Sequence, residues 1–284
     1  MGRVPLPVPE FDDERPWGTY RPPVAMAAAL TLAHRVPAGL RPLAKLLRRP
    51  VKRGCTTPLD LELWGLKLRL LPRGNVAEQK LYTAPQSFDR AELRLLERRL
   101  RPGGVFVDIG ANAGAYSFWA HRCMRGSGRI IAVEPDPEMC RRLGFNLRSN
   151  DLRAIELCSL ALSDHEGMAE LHISPQQRGH NTLEPGQAQR AGGERHRVAV
   201  AVTTLLALLQ AKGVDSLDVL KIDIEGHEPP VLRHFLTHAP ESMWPGAVIS
   251  EFDHRTAAEI GALCTGHGYR LRQTTKRNLL FERA

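Results

Sequence analysis

The chain of 284 residues is 43% apolar and 25% charged, with a formal net charge of +8. These values exclude a disordered or fibrous protein and are typical of one large α/β domain, or of one domain with an appendage. The five cysteines are odd in number and include no C-x-x-C pair, which argues against a disulfide framework or a zinc site and favours a reducing compartment. The basic balance permits an anionic partner without specifying one.

The first part of the chain is rich in proline and then in basic residues. Residues 1–23 contain six prolines and little periodic apolar pattern, which predicts an irregular or disordered arm. The pattern becomes helical from Val24, and residues 40–53 interleave arginines and lysines with leucines. This basic helix either packs its leucines on the rest of the protein, or contacts a membrane surface or an acidic partner.

The N-terminal region has the pattern of neither a membrane span nor a secretory signal. Its most apolar run, Val24–Ala33, is ten residues long, well short of the ~20 residues that a membrane-spanning helix needs. The residues before it, from Glu10 to Glu14, are acidic where a signal peptide would be basic. We therefore expect a cytoplasmic protein.

Two patterns precede the main α/β region. Leu59–Leu71 alternates apolar and polar residues around Gly65, which predicts a strand pair or one bent strand. Leucines recur at helical spacing within Phe88–Leu100, which predicts a surface helix with one buried face.

Strands and helices then alternate, which indicates βαβ units and a mostly parallel sheet. Apolar runs predict strands at Val105–Ile109, Arg129–Val133, Ala154–Cys158, Leu217–Ile222 and Ala247–Phe252, with a closing pair at Tyr269–Arg272 and Asn278–Glu282. Helical patterns lie between them at Ala115–Arg122, Pro137–Arg148, Thr203–Gln210 and Pro230–His238.

A long insertion, residues 163–202, separates the third predicted strand from the fourth. Gly167–Ile173 and Arg197–Val202 predict a hairpin around a polar loop, Pro175–Arg195, and loops of this length are typically lids, binding segments or disordered. The predicted domains are an extension of residues 1–57 and a main domain of residues 58–284, the latter with opening elements (58–100) and an α/β core (105–284).

A glycine-rich turn with the pattern D-x-G-x-N-x-G follows the strand at Val105–Ile109. Gly110 and Gly114 would let the backbone approach a ligand that a Cβ would block. The next helix would present free N–H groups to a carboxylate or phosphate. Asp108 suits a cationic amine and would repel a pyrophosphate, which indicates the amino-acid end of S-adenosylmethionine rather than a dinucleotide.

Acidic residues also end two other predicted strands. Glu134 lies 24 residues after Gly110, near the ~20-residue spacing at which a carboxylate meets ribose hydroxyls; alternatively it is an ordinary exposed glutamate. Asp223, Glu225 and His227 follow the fourth strand, at the edge where open α/β sheets bind ligands. They form either a catalytic and orienting cluster or a helix cap beside an exposed histidine.

The ordered motifs VFVDIGANAGAYS, VEPDPEMCRRLGFN, ALSDHEG, VLKIDIEGHEPPVL and VISEFD resemble the FkbM family of methyltransferases over roughly residues 78–281. The resemblance implies the Rossmann-like class I methyltransferase fold. That fold has a seven-stranded, mostly parallel sheet with helices on both faces, strand order 3-2-1-4-5-7-6 and an antiparallel seventh strand. It also implies S-adenosylmethionine as methyl donor and a hydroxyl oxygen of a sugar, glycan or natural product as acceptor.

The resemblance assigns roles to individual residues. It places Asp108, Gly110, Asn112 and Gly114 at the methionine side, Glu134 at the ribose, and Ser163 and Asp164 near the adenine. The family usually has a small residue where this chain has His227. An attacking hydroxyl needs a proton acceptor, for which the candidates are Asp223, Glu225, His227, Glu251 and His180. Alternatively, several of these carboxylates bind Mg²⁺ and orient a diol.

Three other functions are compatible with parts of the sequence. An NAD-dependent oxidoreductase would need G-x-G-x-x-G, whereas these glycines are four residues apart. A nucleic-acid methyltransferase agrees with the sequence pI of 9.6, but no nucleic-acid module is present in the sequence. A non-catalytic protein would not need the acidic and glycine motifs. We expect a small-molecule or glycan acceptor, selected by residues 163–202 and by the region before Val105.

Overall fold

The computed structural model describes residues 8–36, 51, 54–191 and 196–284. The predicted basic helix of residues 40–53 lies outside the described residues, apart from Val51. Its membrane contact therefore stays a prediction, as does the division at residue 57. Among the helices that are described, none combines the length and the apolar character that crossing a bilayer requires.

The N-terminal region contributes a helix, a hairpin and two further helices. They are α1 (Val24–Arg35), β1 (Leu59–Leu63), β2 (Leu66–Leu70), α2 (Val76–Thr83) and α3 (Arg90–Arg99). β1 and β2 pair antiparallel, so the strand pair predicted around Gly65 is confirmed. Trp64 and Gly65 both have positive φ, 56° and 83°, as a two-residue turn between antiparallel strands requires. Helix α2 is short and was not predicted.

The proline-rich arm is irregular but packed from residue 8 onwards. Arg69 is 0% exposed, and its guanidinium contacts Asp60 through Nε at 2.7 Å and Nη2 at 2.9 Å. Its remaining N–H groups donate to the backbone carbonyls of Asp12, Arg15 and Pro16. The ring of Phe11 packs edge-on against Phe145, with centroids 5.7 Å apart. One buried arginine therefore holds the arm on the hairpin.

Alternating strands and helices form the rest of the molecule. They are β3 (Val105–Ile109), α4 (Ala115–Cys123), β4 (Arg129–Val133), α5 (Pro137–Ser149), β5 (Ile155–Cys158), β6 (Ala161–Ser163), β7 (Gly167–Ile173), α6 (Pro185–Ala191), β8 (His196–Thr204), α7 (Leu205–Ala211), β9 (Val219–Ile222), α8 (Glu228–His238), β10 (Ala247–Glu251), α9 (Ala257–Gly266), β11 (Tyr269–Thr274) and β12 (Asn278–Arg283). Most predicted bounds hold within two residues. Helix α9, with a weak amphipathic pattern, was not predicted.

The central sheet has seven strands in the order β11-β12-β10-β9-β3-β4-β5. Read from β5 to β11, with the seven strands numbered in chain order, this is the order 3-2-1-4-5-7-6 that the resemblance implies. β12 pairs antiparallel with both of its neighbours, and the pairs from β10 across to β5 are parallel. The predicted α/β, Rossmann-like fold class is confirmed.

The sheet is covered on both faces, which explains why its strands are almost continuously apolar. Phe106, Ile130 and Val219 face one apolar cluster with Phe118 of α4. The neighbouring strand positions, such as Val107, face a second cluster that includes residues of α7 and α8. Two apolar layers therefore fix the strands, and the polar ends of the strands remain available for a site.

The insertion forms a small sheet of its own. β7 pairs antiparallel with β8, which confirms the predicted hairpin, and β6 pairs parallel with β8. The loop between β7 and α6 returns to the main sheet, where residues 178–183 line a cavity.

Candidate active site

A cavity of about 440 Å³ lies at the carboxyl ends of the central strands, within the ~300–1,000 Å³ typical of small-molecule sites. Its floor is formed by the loops that follow β3, β4, β9 and β10. The insertion covers one side, and α2, α3 and the β11–β12 turn form the mouth. This is the edge at which parallel α/β sheets bind ligands.

The loop after β3 reaches the cavity because of Gly110. Its φ is +71°, and a Cβ there would lie 1.9 Å from the backbone oxygen of Asp223. The loops after β3 and β9 are therefore in direct contact. Gly114 has a different role, because a Cβ on it would lie 2.5 Å from Leu143 and 2.9 Å from Phe118. It permits α4 to begin in close contact with α5.

Glu134 lies at the end of β4 with its carboxylate at the cavity wall. One oxygen accepts a hydrogen bond from the backbone N–H of Asn112 at 2.8 Å, and the other from that of Asp136 at 2.9 Å. Each oxygen keeps a lone pair for a further donor. Burial raises the pKa of Glu134 to about 7. The carboxylate is thus rigidly oriented and can still accept two hydroxyl groups.

Lys221, in β9, is a buried cation below the cavity. Its Nζ donates to the carbonyls of Gly110 at 2.7 Å and Ile109 at 3.1 Å. It lies 3.2 Å from Asp108 and 4.0 Å from Asp223. Burial opposes the charge, but Asp108 and Asp223 outweigh it and raise the pKa of Lys221. The ammonium therefore ties the glycine loop to both carboxylates.

Three carboxylates meet on the other side of the cavity, where oxygens of Asp223, Glu225 and Glu251 lie within 4.8 Å of one another. Burial and the adjacent Asp223 raise the pKa of Glu251 well above its usual range. Burial alone would also raise the pKa of Asp223, but Lys221 and the hydrogen bond with Glu251 outweigh it and lower that pKa. These neighbours therefore favour the ionised form of Asp223 and the protonated form of Glu251.

A guanidinium already neutralises part of this cluster. Arg277 contacts Glu251 through Nη2 at 2.7 Å and through Nε at 3.0 Å, and its Nη2 lies 3.6 Å from Glu225. The positive charge that the carboxylates need is thus supplied by the chain itself.

His227 joins the insertion to the sheet. Its Nδ1 lies 2.6 Å from Glu184 Oε1, and its Nε2 lies 2.9 Å from Ser163 Oγ. Both ring nitrogens are therefore engaged, which favours a structural role for His227 over proton transfer. Asp164, 54% exposed at its side chain, pairs with His165 at 2.8 Å.

A second contact holds the insertion over the Glu134 side of the cavity. Asp136 is fully buried and accepts from Arg178 Nη1 at 2.8 and 2.9 Å and from Asn181 Nδ2 at 2.7 Å. Asp136 also caps α5 by accepting from the N–H of Glu138. The polar loop of the insertion is thus held to the start of α5.

Comparison with known proteins identifies the family. Residues 108–271, more than half of the chain, match the domain described as the methyltransferase FkbM domain.

The chain belongs to the FkbM methyltransferase family.

Curated relatives include the 31-O-demethyl-FK506 methyltransferase FkbM of Streptomyces tacrolimicus, 27% identical over 199 residues, or 60% of this chain and 74% of the relative. Methyltransferase sdnD of Sordaria araneosa is 30% identical over 152 residues, or 45% of this chain and 58% of the relative. A ribosomal protein L11 methyltransferase of Pelotomaculum thermopropionicum is 43% identical over 58 residues, 20% of this chain and 18% of the relative. The matches thus span less than two thirds of the length of two of these relatives.

Solved structures are similar at low identity. The methyltransferase FkbM from Methylobacillus flagellatus is 17% identical with a TM-score of 0.43, covering 72% of this chain and 54% of that one. A precorrin-6y C5,15-methyltransferase from Geobacter metallireducens is 14% identical with a TM-score of 0.43, covering 68% and 86%.

The predicted site residues of this FkbM methyltransferase do not all reach the cavity, because Gly114 and Asp164 are not among the residues that line it. Those at the cavity wall are Gly110, Asn112, Glu134, Asp223, Glu225 and His227. Asp108 and Ser163 are 0% and 1% exposed, so they lie behind the wall. Asp108 accepts from Ser117 Oγ at 2.7 Å and faces Lys221 on its other side. Its carboxylate therefore supports the glycine loop through Lys221, which donates to the carbonyl of Gly110.

Sequence reasoning missed Lys221 and Arg277. Lys221 had a readable signal, because a lysine inside a buried apolar strand needs a buried counter-charge. Arg277 had none, because its partners lie 26 and 52 positions earlier in the chain.

Proposed function

We propose that this FkbM methyltransferase transfers a methyl group from S-adenosylmethionine to a hydroxyl oxygen of a small-molecule or glycan acceptor. The observation that carries the proposal is the cavity wall: Glu134, a diol acceptor, and Asp223, the proposed proton acceptor, line one cavity from the ends of β4 and β9, the strands on either side of β3. The FkbM relative from Streptomyces tacrolimicus, by its name, methylates an oxygen, which supports the choice of acceptor atom.

The residues present fit S-adenosylmethionine. Glu134 would accept the paired ribose hydroxyls with the lone pairs that its backbone partners leave. The loop at Gly110, held by Lys221, would face the methionine end, and the backbone N–H groups at the start of α4 would suit its carboxylate. Bound there, S-adenosylmethionine supplies a sulfonium methyl group for in-line displacement, for which correct orientation contributes ~7–11 kcal/mol.

We assign the proton acceptor to Asp223. Among the candidates, His227 has both nitrogens engaged, and the neighbours of Glu251 favour its protonated form. Asp223 is ionised and faces the cavity, so its oxygen can take the proton of the attacking hydroxyl. Arg277 and the proton on Glu251 keep Asp223 from being one of three adjacent negative charges. This arrangement favours metal-independent catalysis over a Mg²⁺ site at the same carboxylates.

We further propose that the protein works in the cytoplasm. All five cysteines are free thiols, as is usual for proteins of reducing compartments.

Replacing Glu134 by glutamine tests the cofactor side of the proposal. The amide nitrogen would face a backbone N–H, and one charged acceptor for the ribose would be lost. Affinity for S-adenosylmethionine, measured by calorimetry, should weaken by ~1.5–3 kcal/mol. Glu62→Gln, an exposed change in β1, should leave it unchanged. Equal affinity for Glu134→Gln and the wild type would remove Glu134 from the site.

The affinity for S-adenosylmethionine should also depend on pH. The pKa of Glu134 is about 7, and only the ionised carboxylate can accept both hydroxyls without giving up a lone pair. Binding should therefore release a proton below pH 7 and weaken by about tenfold per pH unit there. Calorimetry at pH 6 to 8 in two buffers with different ionisation enthalpies measures this proton release. A flat profile, or proton uptake, would contradict it.

A further inference from the structure

Four positively charged side chains border the mouth of the cavity: Lys80, Arg90, Lys276 and Arg277. Two of them have partners in the chain. Lys80 lies 3.0 Å from Asp89, and Arg277 lies against Glu251. Within the part of the chain that the structure describes, Arg90 and Lys276 have no hydrogen bond or ion pair to another side chain. Both side chains are exposed and line the cavity.

The positions of Arg90 and Lys276 are fixed by a buried contact. Glu92, 4% exposed, accepts from Thr275 Oγ1 at 2.7 Å and from Asn278 Nδ2 at 2.8 Å. These two donors flank Lys276 in the β11–β12 turn, and Glu92 lies in the first turn of α3, which begins at Arg90. The contact through Glu92 thus holds the start of α3 against the β11–β12 turn, and this places Arg90 and Lys276 at the same opening of the cavity.

None of the described acids near the mouth forms an ion pair with Arg90 or Lys276. Glu92 is occupied by the contact just described, and Asp89 is shared between Lys80 and the hydroxyl of Tyr116. Glu225 and Glu251 lie against Arg277. Among the described residues, Arg90 and Lys276 are therefore the two cations of the mouth that have no carboxylate partner, and both are open to a ligand at the end of the cavity that the insertion does not cover.

Positive charge also continues along the surface next to the mouth. Arg90, Arg94 and Arg98 recur every four residues on the outward side of α3, so they lie on one face. Beyond them, Arg98, Arg99 and Arg272 share a single carboxylate, Glu282, at 3.6, 3.2 and 3.2 Å. Three guanidinium groups around one carboxylate leave a net positive surface, which would draw anions towards the mouth.

We infer that the acceptor is a small hydroxylated compound that carries a phosphate or carboxylate group, which Arg90 and Lys276 bind at the mouth of the cavity. This inference rests on the proposed function, because the hydroxyl of the same molecule would then lie at Asp223. A guanidinium and an ammonium together suit an oxyanion, since the arginine can form paired hydrogen bonds and the lysine adds a point charge. The anionic group anchors the acceptor, and Asp223 selects the hydroxyl.

The anion site is tested with inorganic pyrophosphate as the probe, in protein saturated with S-adenosylhomocysteine. Wild-type protein should bind pyrophosphate in calorimetry, and the double variant Arg90→Gln/Lys276→Gln should bind it about 10-fold more weakly. The matched control is Arg125→Gln/Arg148→Gln, which removes two exposed cations at the opposite edge of the sheet and should behave as wild type. Absence of binding to the wild type, or equal binding by both double variants, would overturn the inference.

The acceptor itself is tested by transferring a radiolabelled methyl group into a cell extract that has been fractionated on an anion exchanger. Label should enter retained small molecules, and the Arg90→Gln/Lys276→Gln protein should label them at a reduced rate. Phosphatase treatment beforehand distinguishes the sources: loss of label identifies a phosphate, and persistence in the retained fraction identifies a carboxylate. Label in the unretained fraction, or in material that ribonuclease digests, would overturn the inference.

Failure of the proposed function would look different. If the protein did not bind S-adenosylmethionine, but the Arg90→Gln/Lys276→Gln change still weakened binding of pyrophosphate to the protein without cofactor, the methyl donor would be wrong and the anion site would stand. If it bound S-adenosylmethionine and labelled only neutral compounds, methyl transfer would stand and the anionic acceptor would be wrong. The double variant should bind S-adenosylmethionine as the wild type does, which shows that it is folded.

Discussion

Replacing Asp223 by asparagine should lower the rate of methyl transfer by about 10²–10⁴-fold, the usual contribution of a positioned general base. Asparagine has nearly the same shape but cannot take the proton of the hydroxyl. The amide oxygen of the asparagine can still accept the hydrogen bond from Glu251, so the arrangement of the two side chains should persist. The measurement is the initial rate of label transfer from S-adenosylmethionine to the acceptor pool of a cell extract.

Two controls separate loss of the base from loss of the site. Affinity of Asp223→Asn for S-adenosylmethionine should change little, because Glu134 and the glycine loop are untouched. Glu251→Gln should keep much more activity than Asp223→Asn, because glutamine resembles the protonated carboxyl that the structure implies. If EDTA abolished activity and Mg²⁺ restored it, the carboxylates would be metal ligands and the assignment of Asp223 as the base would be wrong.

Replacing Asp60 by alanine should destabilise the protein by ~3–5 kcal/mol, the cost of leaving a buried charge without its partner. Asp60 and Arg69 are 2% and 0% exposed, so solvent cannot replace the lost carboxylate. Asp60 also accepts from the backbone N–H groups of Gly18 and Tyr20. The change would therefore loosen the packed arm as well as the hairpin. Urea unfolding, with the slope compared between variants, measures the loss of free energy.

Glu62 provides the matched control for Asp60. It lies in the same strand, is exposed, and should tolerate alanine within ~0.5 kcal/mol. A loss below about 1 kcal/mol for Asp60→Ala would show that the arm does not depend on the buried pair. Retention of cofactor affinity in folded Asp60→Ala protein would show that the arm stabilises the fold without forming the site.

The sequence was sufficient to predict the elements whose signal is local. The strands Val105–Ile109 and Arg129–Val133 are runs of buried apolar residues, and their predicted bounds agree with the structure. Gly110 was singled out because it follows a strand and leads into a helix, where a Cβ would block a close approach of the backbone. The hairpin of the insertion was predicted from two segments that flank a polar loop.

The contacts that build the site could not be predicted in this way, because they join distant parts of the chain. Lys221 meets Asp108 across two neighbouring strands, 113 positions apart. The link from Glu184 through His227 to Ser163 depends on how the insertion folds back. A motif shows that an acid is present at a strand end, but its protonation depends on which neighbours share the cavity.

The β11–β12 turn has a consequence for synthesis of the protein. β12 lies between β10 and β11 in the sheet, so β11 can join the sheet only after β12 has been inserted. The residues around Gly110 and Glu134 emerge from the ribosome well over a hundred positions earlier, and N-terminal parts tend to fold first. The residues of the proposed donor side of the cavity have thus left the ribosome while Lys276 and Arg277 are still inside it. We expect a nascent chain to recognise the methyl donor before it can recognise what is to be methylated.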